Sequence, residues 1–414
     1  MKNGTLCVMQ VVSNLGIGGA QEVVRTLAEN MERVGCRSVV CAFQDGPLRA
    51  EIERLGIPVE ILPAREHGVM NFPFFLMDMW KTRRALIGLV KKHGVDVIQT
   101  HLLRSLDFLV LSLRLQTDVR VFWTFHNARF ELREEHLAGQ KWTLQPKLWG
   151  YRFFYGIGAR GTAGLVAVSE QVREAMLQNL RGVPAGRIVT ICNSVDVTRY
   201  GNAARRAKLR ADLRLGADDV VAAMVATFKE QKGHRFLLEA LPDVVEQFPQ
   251  FHILMIGDGA LRSSMETLAR DLHLEKCVHF LGNRSDVPDL LAASDLFLLP
   301  SLWEGLPMAL VEAMASGLPS IATQVSGTSQ VMLHSETGLL VPPASAEKLR
   351  AALVELLASP KIMKRMGNSA RQRVEIHFGA QKQAREYLAL FTGELQTKPR
   401  NRHSDETAWT GENV

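Results

Sequence analysis

Short runs of β-branched and apolar residues alternate with helix-patterned segments twice along this chain, and that alternation leaves few architectures open. Parallel strands need a crossover between each pair, and amphipathic helices supply it while covering both faces of the sheet. The first series of runs is 6–12, 38–43, 58–62, 95–100, 119–125 and 164–169, and 187–192 closes it. After the first run, Ala20, Val23, Val24, Leu27, Ala28 and Met31 fall at helical spacing. A polar, basic stretch at 200–219 interrupts the alternation, which restarts with 220–226, 251–257, 278–282, 296–300 and 319–323. Amphipathic helical patterns fill 345–393. The expectation is an α/β chain of two doubly wound domains, 1–203 and 204–380. Residues 381–396 form a further helix that is free to return to the first domain, and 397–414, almost without apolar content, form a disordered tail. Doubly wound domains bind ligands at the carboxyl ends of their strands, so two that face each other enclose a cleft.

Composition removes several classes. With 47% hydrophobic and 22% charged residues the chain is neither disordered nor collagen-like. Its apolar runs, about ten residues at most, are too short to span a bilayer, and the start MKNGTLCVMQ lacks a secretory pattern. The expected location is the cytoplasm, with the inner face of the plasma membrane as an option. The five cysteines form no CxxC pair and no zinc-ligand spacing. Cys7, Cys41, Cys192 and Cys277 sit in apolar runs and read as packed thiols, while Cys36 lies outside any such run. Residues 1–200 carry 25 Lys and Arg against 18 Asp and Glu, whereas the remainder carries 24 against 25. The basic first half suits an anionic partner such as a phospholipid surface, and solubility alone accounts for it equally well.

The segment EGLPMALVEAMASGLP at 304–319 holds the strongest chemical signal. Pro307 suits the first position of a helix and Gly317 the position after its end. Glu304 then precedes the helix and Glu312 lies on its second turn. Between them, the amides of Gly305, Leu306 and their neighbours meet the positive end of the helix dipole, a place for phosphate. Two carboxylates flanking an anion site match a nucleotide sugar, with hydroxyls on both sides of a diphosphate. A second segment, VATFKEQKGH at 225–234, sets Lys232 at a helix start, where a bound anion is the natural partner for a cation unless the lysine is merely a surface one.

On these residues the chain resembles the retaining glycosyltransferases of family 4, whose GT-B fold sets two Rossmann-like domains face to face. The spacing of Glu304 and Glu312 matches the paired-glutamate motif of that family, and the likeness extends over about residues 5–390. The resemblance implies that Glu304 contacts the donor sugar, Glu312 the ribose, and Lys232 the diphosphate. The family usually has a basic residue where Thr227 stands, which leaves Lys229 as a substitute. Arg284, in FLGNRSDV, resembles the loop beside the nucleotide base. Gly16, Gly18 and Gly19 are implied to approach the donor phosphates; they form no dinucleotide fingerprint, since Gln21 stands where GxGxxG needs glycine. Gly257 and Gly259 suit either a tight turn or close approach to a ligand. His126, at a strand end, is implied to lie near the donor sugar. His101, at an analogous end, reads either as an acceptor-side group or as a core histidine. Asn193-Ser194 replaces the usual asparagine-glycine turn.

The function so implied is transfer of a hexose from a nucleoside-diphosphate sugar to a hydroxyl acceptor with retention of configuration, in polysaccharide or lipid-linked glycan synthesis. His126, Lys232 and Glu304 carry the catalysis. The nucleotide sugar is a co-substrate and no cofactor is expected. No DxD triplet occurs, so no metal is expected either. Segments 72–92 and 141–160 mix aromatic with basic residues and read as core helices with basic outer faces or as contacts to an anionic membrane. The rivals are a nucleotide-sugar epimerase of the same fold and a basic module that binds RNA or lipid. The glutamates and Lys232 lie in the half without basic excess, which weighs against that module and against a nucleic-acid partner.

Overall fold

The computed structural model describes residues 5–16, 19–62, 72–101, 105–126, 141–180 and 182–395. Among them seven parallel strands build the first sheet: β1 (Cys7–Asn14), β2 (Arg37–Gln44), β3 (Val59–Ile61), β4 (Val97–His101), β5 (Arg120–Phe125), β6 (Gly164–Ala167) and β7 (Ile188–Thr190), in the order β3-β2-β1-β4-β5-β6-β7. Six more build the second: β8 (Val220–Val225), β9 (Phe251–Ile256), β10 (Val278–Gly282), β11 (Leu296–Leu299), β12 (Ser320–Thr323) and β13 (Gly338–Val341), in the order β10-β9-β8-β11-β12-β13. The strand order reverses between β1 and β4 and again between β8 and β11. Loops leaving those four strands therefore splay apart and open a crevice in each domain. Strand β13 is absent from the sequence expectation, because four residues reading GLLV look the same as a piece of buried helix.

Helices cover both faces of each sheet. One face of the first sheet packs Ile98, Trp123 and Phe125 against Leu86, Val90, Tyr155 and Ala159. The other packs Val8 and Phe122 against Leu27 and Met31 of helix Gly19–Arg33 and against Tyr387 and Phe391 of helix Ala380–Thr392. The last helix of the described chain thus lies on the first domain, with the Phe122 and Phe391 rings 4.9 Å apart. Cys36, unread in the sequence, is a buried member of this cluster. Ser194 takes no positive φ; its hydroxyl instead donates to Gln383 Oε1 of the same terminal helix at 2.7 Å, which explains how serine stands where glycine is usual.

Two arginines of the basic junction are paired internally. Arg206 and Arg210, on helix Arg206–Asp212, both pair with Asp295 and donate to the carbonyls of Ala292, Ala293 and Ser294 at the end of helix Val287–Ala293. A helix C-terminus is the negative end of its dipole, so the cations suit it. Segments 72–92 and 141–160 are helices Phe72–His93 and Lys141–Gly161. Their inner sides enter the core. Outside, Met77, Trp80, Lys81 and Arg84 share a stripe on one helix, and Phe153, Phe154, Ile157 and Arg160 share one on the other. Arg84 lies over the Trp80 ring at 5.6 Å. Among the described residues no helix is long and apolar enough to cross a membrane.

Candidate active site

Loops from the neighbouring strands β8 and β11 meet at the crevice of the second domain. Gly233 makes the meeting possible: its φ is +67°, and a Cβ there would lie 2.0 Å from the Pro300 carbonyl oxygen. Leu302 N donates to Gln231 O at 2.7 Å and Gln231 Nε2 to Trp303 O at 2.9 Å, which zips the two loops together. Lys232 Nζ thereby reaches Glu304 Oε1 at 2.5 Å, and Ser301 Oγ donates to the same oxygen at 2.7 Å. Glu304 is buried and Lys232 about one-fifth exposed. Lys232, expected beside a phosphate, has the Glu304 carboxylate as its partner here, because both loops end at the same crevice.

Helix Met308–Ala315 begins four residues after Glu304. Pro307 is its N-cap, with ψ 93°, and not its first helical residue as the sequence suggested. Among the described residues the amides of Gly305 and Leu306 take no hydrogen-bond acceptor. A Cβ on Gly327 would lie 2.5 Å from the Gly305 carbonyl oxygen, so the first turn of helix Ser326–Val331, after β12, packs closely on the same backbone.

Glu312, further along that helix, points into the seam between the domains. There it meets Glu22 and Arg25 of helix Gly19–Arg33 together with Arg199 and Tyr200. The space between them is a narrow crevice, far smaller than an ordinary ligand pocket. Arg25 donates to Glu22 Oε1 from Nε at 2.9 Å and from Nη2 at 2.7 Å, and Arg199 pairs with the same oxygen. Burial, with the Glu22 carboxylate adding to it, pushes the Glu312 carboxyl up to about 8, against the pull of Arg199 and a Tyr200 hydrogen bond. The unfolded chain releases this proton near 4.5 and the folded chain holds it to about 8, so folding stability from Glu312 is lost as pH rises across that interval. Wild type is therefore expected to lose on the order of a few kcal/mol relative to Glu312→Gln between about pH 5 and pH 9. Urea unfolding of both proteins at the two pH values measures it, and a gap that does not change with pH refutes it.

In the first domain the ends of β4 and β5 bring two histidines together. His101 Nδ1 lies 2.9 Å from His126 Nε2, and the rings stack with centroids 5.2 Å apart. His101 is 5% exposed, with its other nitrogen 2.7 Å from Gln10 Oε1. It therefore stands behind His126 and not on the acceptor side. His126 is partly exposed, and Asn193 Nδ2 lies 3.4 Å from its Nδ1. Gly16 donates its amide to Asn14 Oδ1 at 3.0 Å, where Gln21 Nε2 also binds, and Gly19 opens helix Gly19–Arg33. Gly18 lies outside the described residues.

Other expected residues are dispersed. Thr227 and Lys229 are both exposed on the loop after β8. Gly257 and Gly259 border that loop, where Phe228 N donates to Asp258 O at 3.0 Å. Arg284 follows β10, the edge strand, and its guanidinium is taken by Asp286 at 2.8 and 2.7 Å. The structure does not bring it to the Lys232–Glu304 pair. Sequence reading missed Glu22, Tyr200 and Gln10. The only local signal was an acidic residue in the first turn after a glycine loop, which ordinary helix capping also explains.

Residues 205–373 match the family model described as glycosyl transferases group 1, and residues 17–199 match the one described as glycosyltransferase family 4. The chain is 28% identical over 303 residues to the UDP-Gal:alpha-D-GlcNAc-diphosphoundecaprenol alpha-1,3-galactosyltransferase of Escherichia coli, covering 72% of this chain and 75% of the relative. It is 30% identical over 319 residues to EpsF of Bacillus subtilis, named among the glycosyltransferases, covering 76% and 78%. The crystal structure of Anabaena HepE in complex with UDP and glucose superposes with a TM-score of 0.78 at 20% identity, covering 94% of this chain and all of that one.

Proposed function

This chain belongs to the group 1 glycosyltransferases of the GT-B fold, and on that premise we propose that it moves a sugar from a nucleoside-diphosphate sugar to a hydroxyl acceptor, with retention and without a metal. The observation that carries this reading is the contact of Lys232 with the buried Glu304 beside the start of helix Met308–Ala315, with Glu312 on the same helix. The donor enters as the domains part, since the seam at Glu312 is too narrow for a nucleotide as it stands. Lys232 then leaves Glu304 for the diphosphate, joined by the amides of Gly305 and Leu306, and so meets charge that grows as the leaving group departs. Glu304, released, accepts hydrogen bonds from sugar hydroxyls, and Glu312 accepts them from the ribose. His126 binds the sugar from the opposite domain. The acceptor hydroxyl attacks from the face that the diphosphate leaves and passes its proton to the departing phosphate oxygen, which gives retention.

The acceptor is a lipid-linked glycan. The Escherichia coli relative acts on a diphosphoundecaprenol, and the outward Trp80–Arg84 and Phe153–Ile157 stripes suit an anionic lipid surface. Thermal stabilisation by UDP, GDP and ADP and by their sugars identifies the donor. Glu312→Ala is expected to lose nucleotide stabilisation, while Glu304→Ala keeps it and loses turnover. Undiminished turnover in both variants rejects the assignment, and an inverted product anomer, read by NMR, rejects retention.

A further inference from the structure

A polar chain runs through the first domain apart from the ion pair and the seam. It links Gln10 on β1, His101 at the end of β4, His126 after β5 and Asn193 after β7. A neutral imidazole has one N–H and one lone pair, so its partners decide its tautomer. Burial keeps both rings neutral: it lowers His126 to about 4, and burial, with His126 adjacent, holds His101 well below the usual imidazole range. Gln10 Oε1 accepts only, which puts the proton of His101 on Nε2. His101 Nδ1 is then a lone pair, and His126 Nε2, 2.9 Å away, must be the donor. The remaining polar atom of His126, Nδ1, is left as an acceptor on the side away from the buried ring.

Among the described residues no second contact of the Gln10 amide competes with this one. Gln10 and Gln99 are Cα partners on β1 and β4, and Gln10 Nε2 and Gln99 Oε1 are among the buried side-chain atoms without a partner.

We propose that Gln10 and His101 are positioning residues that hold His126 in its Nε2–H tautomer, so that Nδ1 meets the cleft as an acceptor for a substrate hydroxyl. The contact from Asn193 Nδ2, at 3.4 Å, is long for a hydrogen bond, and a hydroxyl displaces it at little cost. Only the identity of that hydroxyl rests on the sugar-transfer reading.

Solution NMR of the full chain with 15N-labelled histidine tests the positioning directly. Wild type is expected to show His126 protonated at Nε2 and bare at Nδ1. His101→Leu loses this bias, whereas His101→Asn, whose Oδ1 stands where Nδ1 stood, keeps it. With a donor sugar, kcat/KM falls about tenfold or more in His101→Leu, as for loss of one buried hydrogen bond, and recovers in His101→Asn. An Nδ1–H tautomer at His126 in wild type overturns the proposal, as does a bias that survives His101→Leu in a folded chain. The expected spectra together with no affinity for any nucleotide sugar uphold the positioning and refute only the sugar-transfer reading.

Discussion

Replacing Lys232 by alanine is expected to lower kcat for sugar transfer by about 10²–10³-fold, the usual cost of removing one preorganised partner of developing charge. The side chain sits 2.5 Å from Glu304, so the loss has two parts. The departing diphosphate forfeits its cation, and among the described residues the buried carboxylate is left with Ser301 as its remaining side-chain donor. Lys232→Arg keeps the charge but not the compact ammonium that fits between the two loops, and it should recover only part of the rate. Release of nucleoside diphosphate under saturating donor measures both variants. An alanine variant with wild-type kcat would show that Lys232 serves only to anchor Glu304.

The largest effect on stability is expected at Asp295→Ala, with a loss of about 2 kcal/mol, since Arg210 is buried while Asp295 is about one-quarter exposed. Arg210 is nearly buried, with its Nη2 2.5 Å from Asp295 Oδ2, and Val221 N donates to the same carboxylate at 2.9 Å. Without the carboxylate Arg210 keeps the carbonyls of Ala293 and Asp219 but no counter-charge. Asp295→Asn, which saves part of the hydrogen bonding, should fall between the two. Urea unfolding of the three proteins checks the order. A loss below about 1 kcal/mol in the alanine variant would mean that the carbonyls alone hold the junction.

That junction also shows where sequence reading stops. The stretch at 200–219 read only as a polar, basic junction, with nothing in it to say which cations pair inside the protein. Charge is a property of the residue, but whether it faces solvent or the end of a neighbouring helix depends on how the chain returns. His101 is a similar case. Its place at a strand end was legible, yet whether it met substrate or another ring depended on the strand beside it.

Alternation of period 2 with period 3.6 by itself determined that this chain builds two parallel sheets under helices. Each segment carries its own burial pattern, readable within a window of about ten residues. The glutamate spacing around one helix start was likewise local. Which groups touch was decided only by the tertiary structure: Lys232 meets Glu304 across 72 residues, and His101 meets Gln10 across 91. Those contacts follow from strand order, which sets β8 beside β11 and β1 beside β4. Strand order is settled by packing the whole sheet against its helices, a sum over many weak contacts that no single stretch of sequence contains.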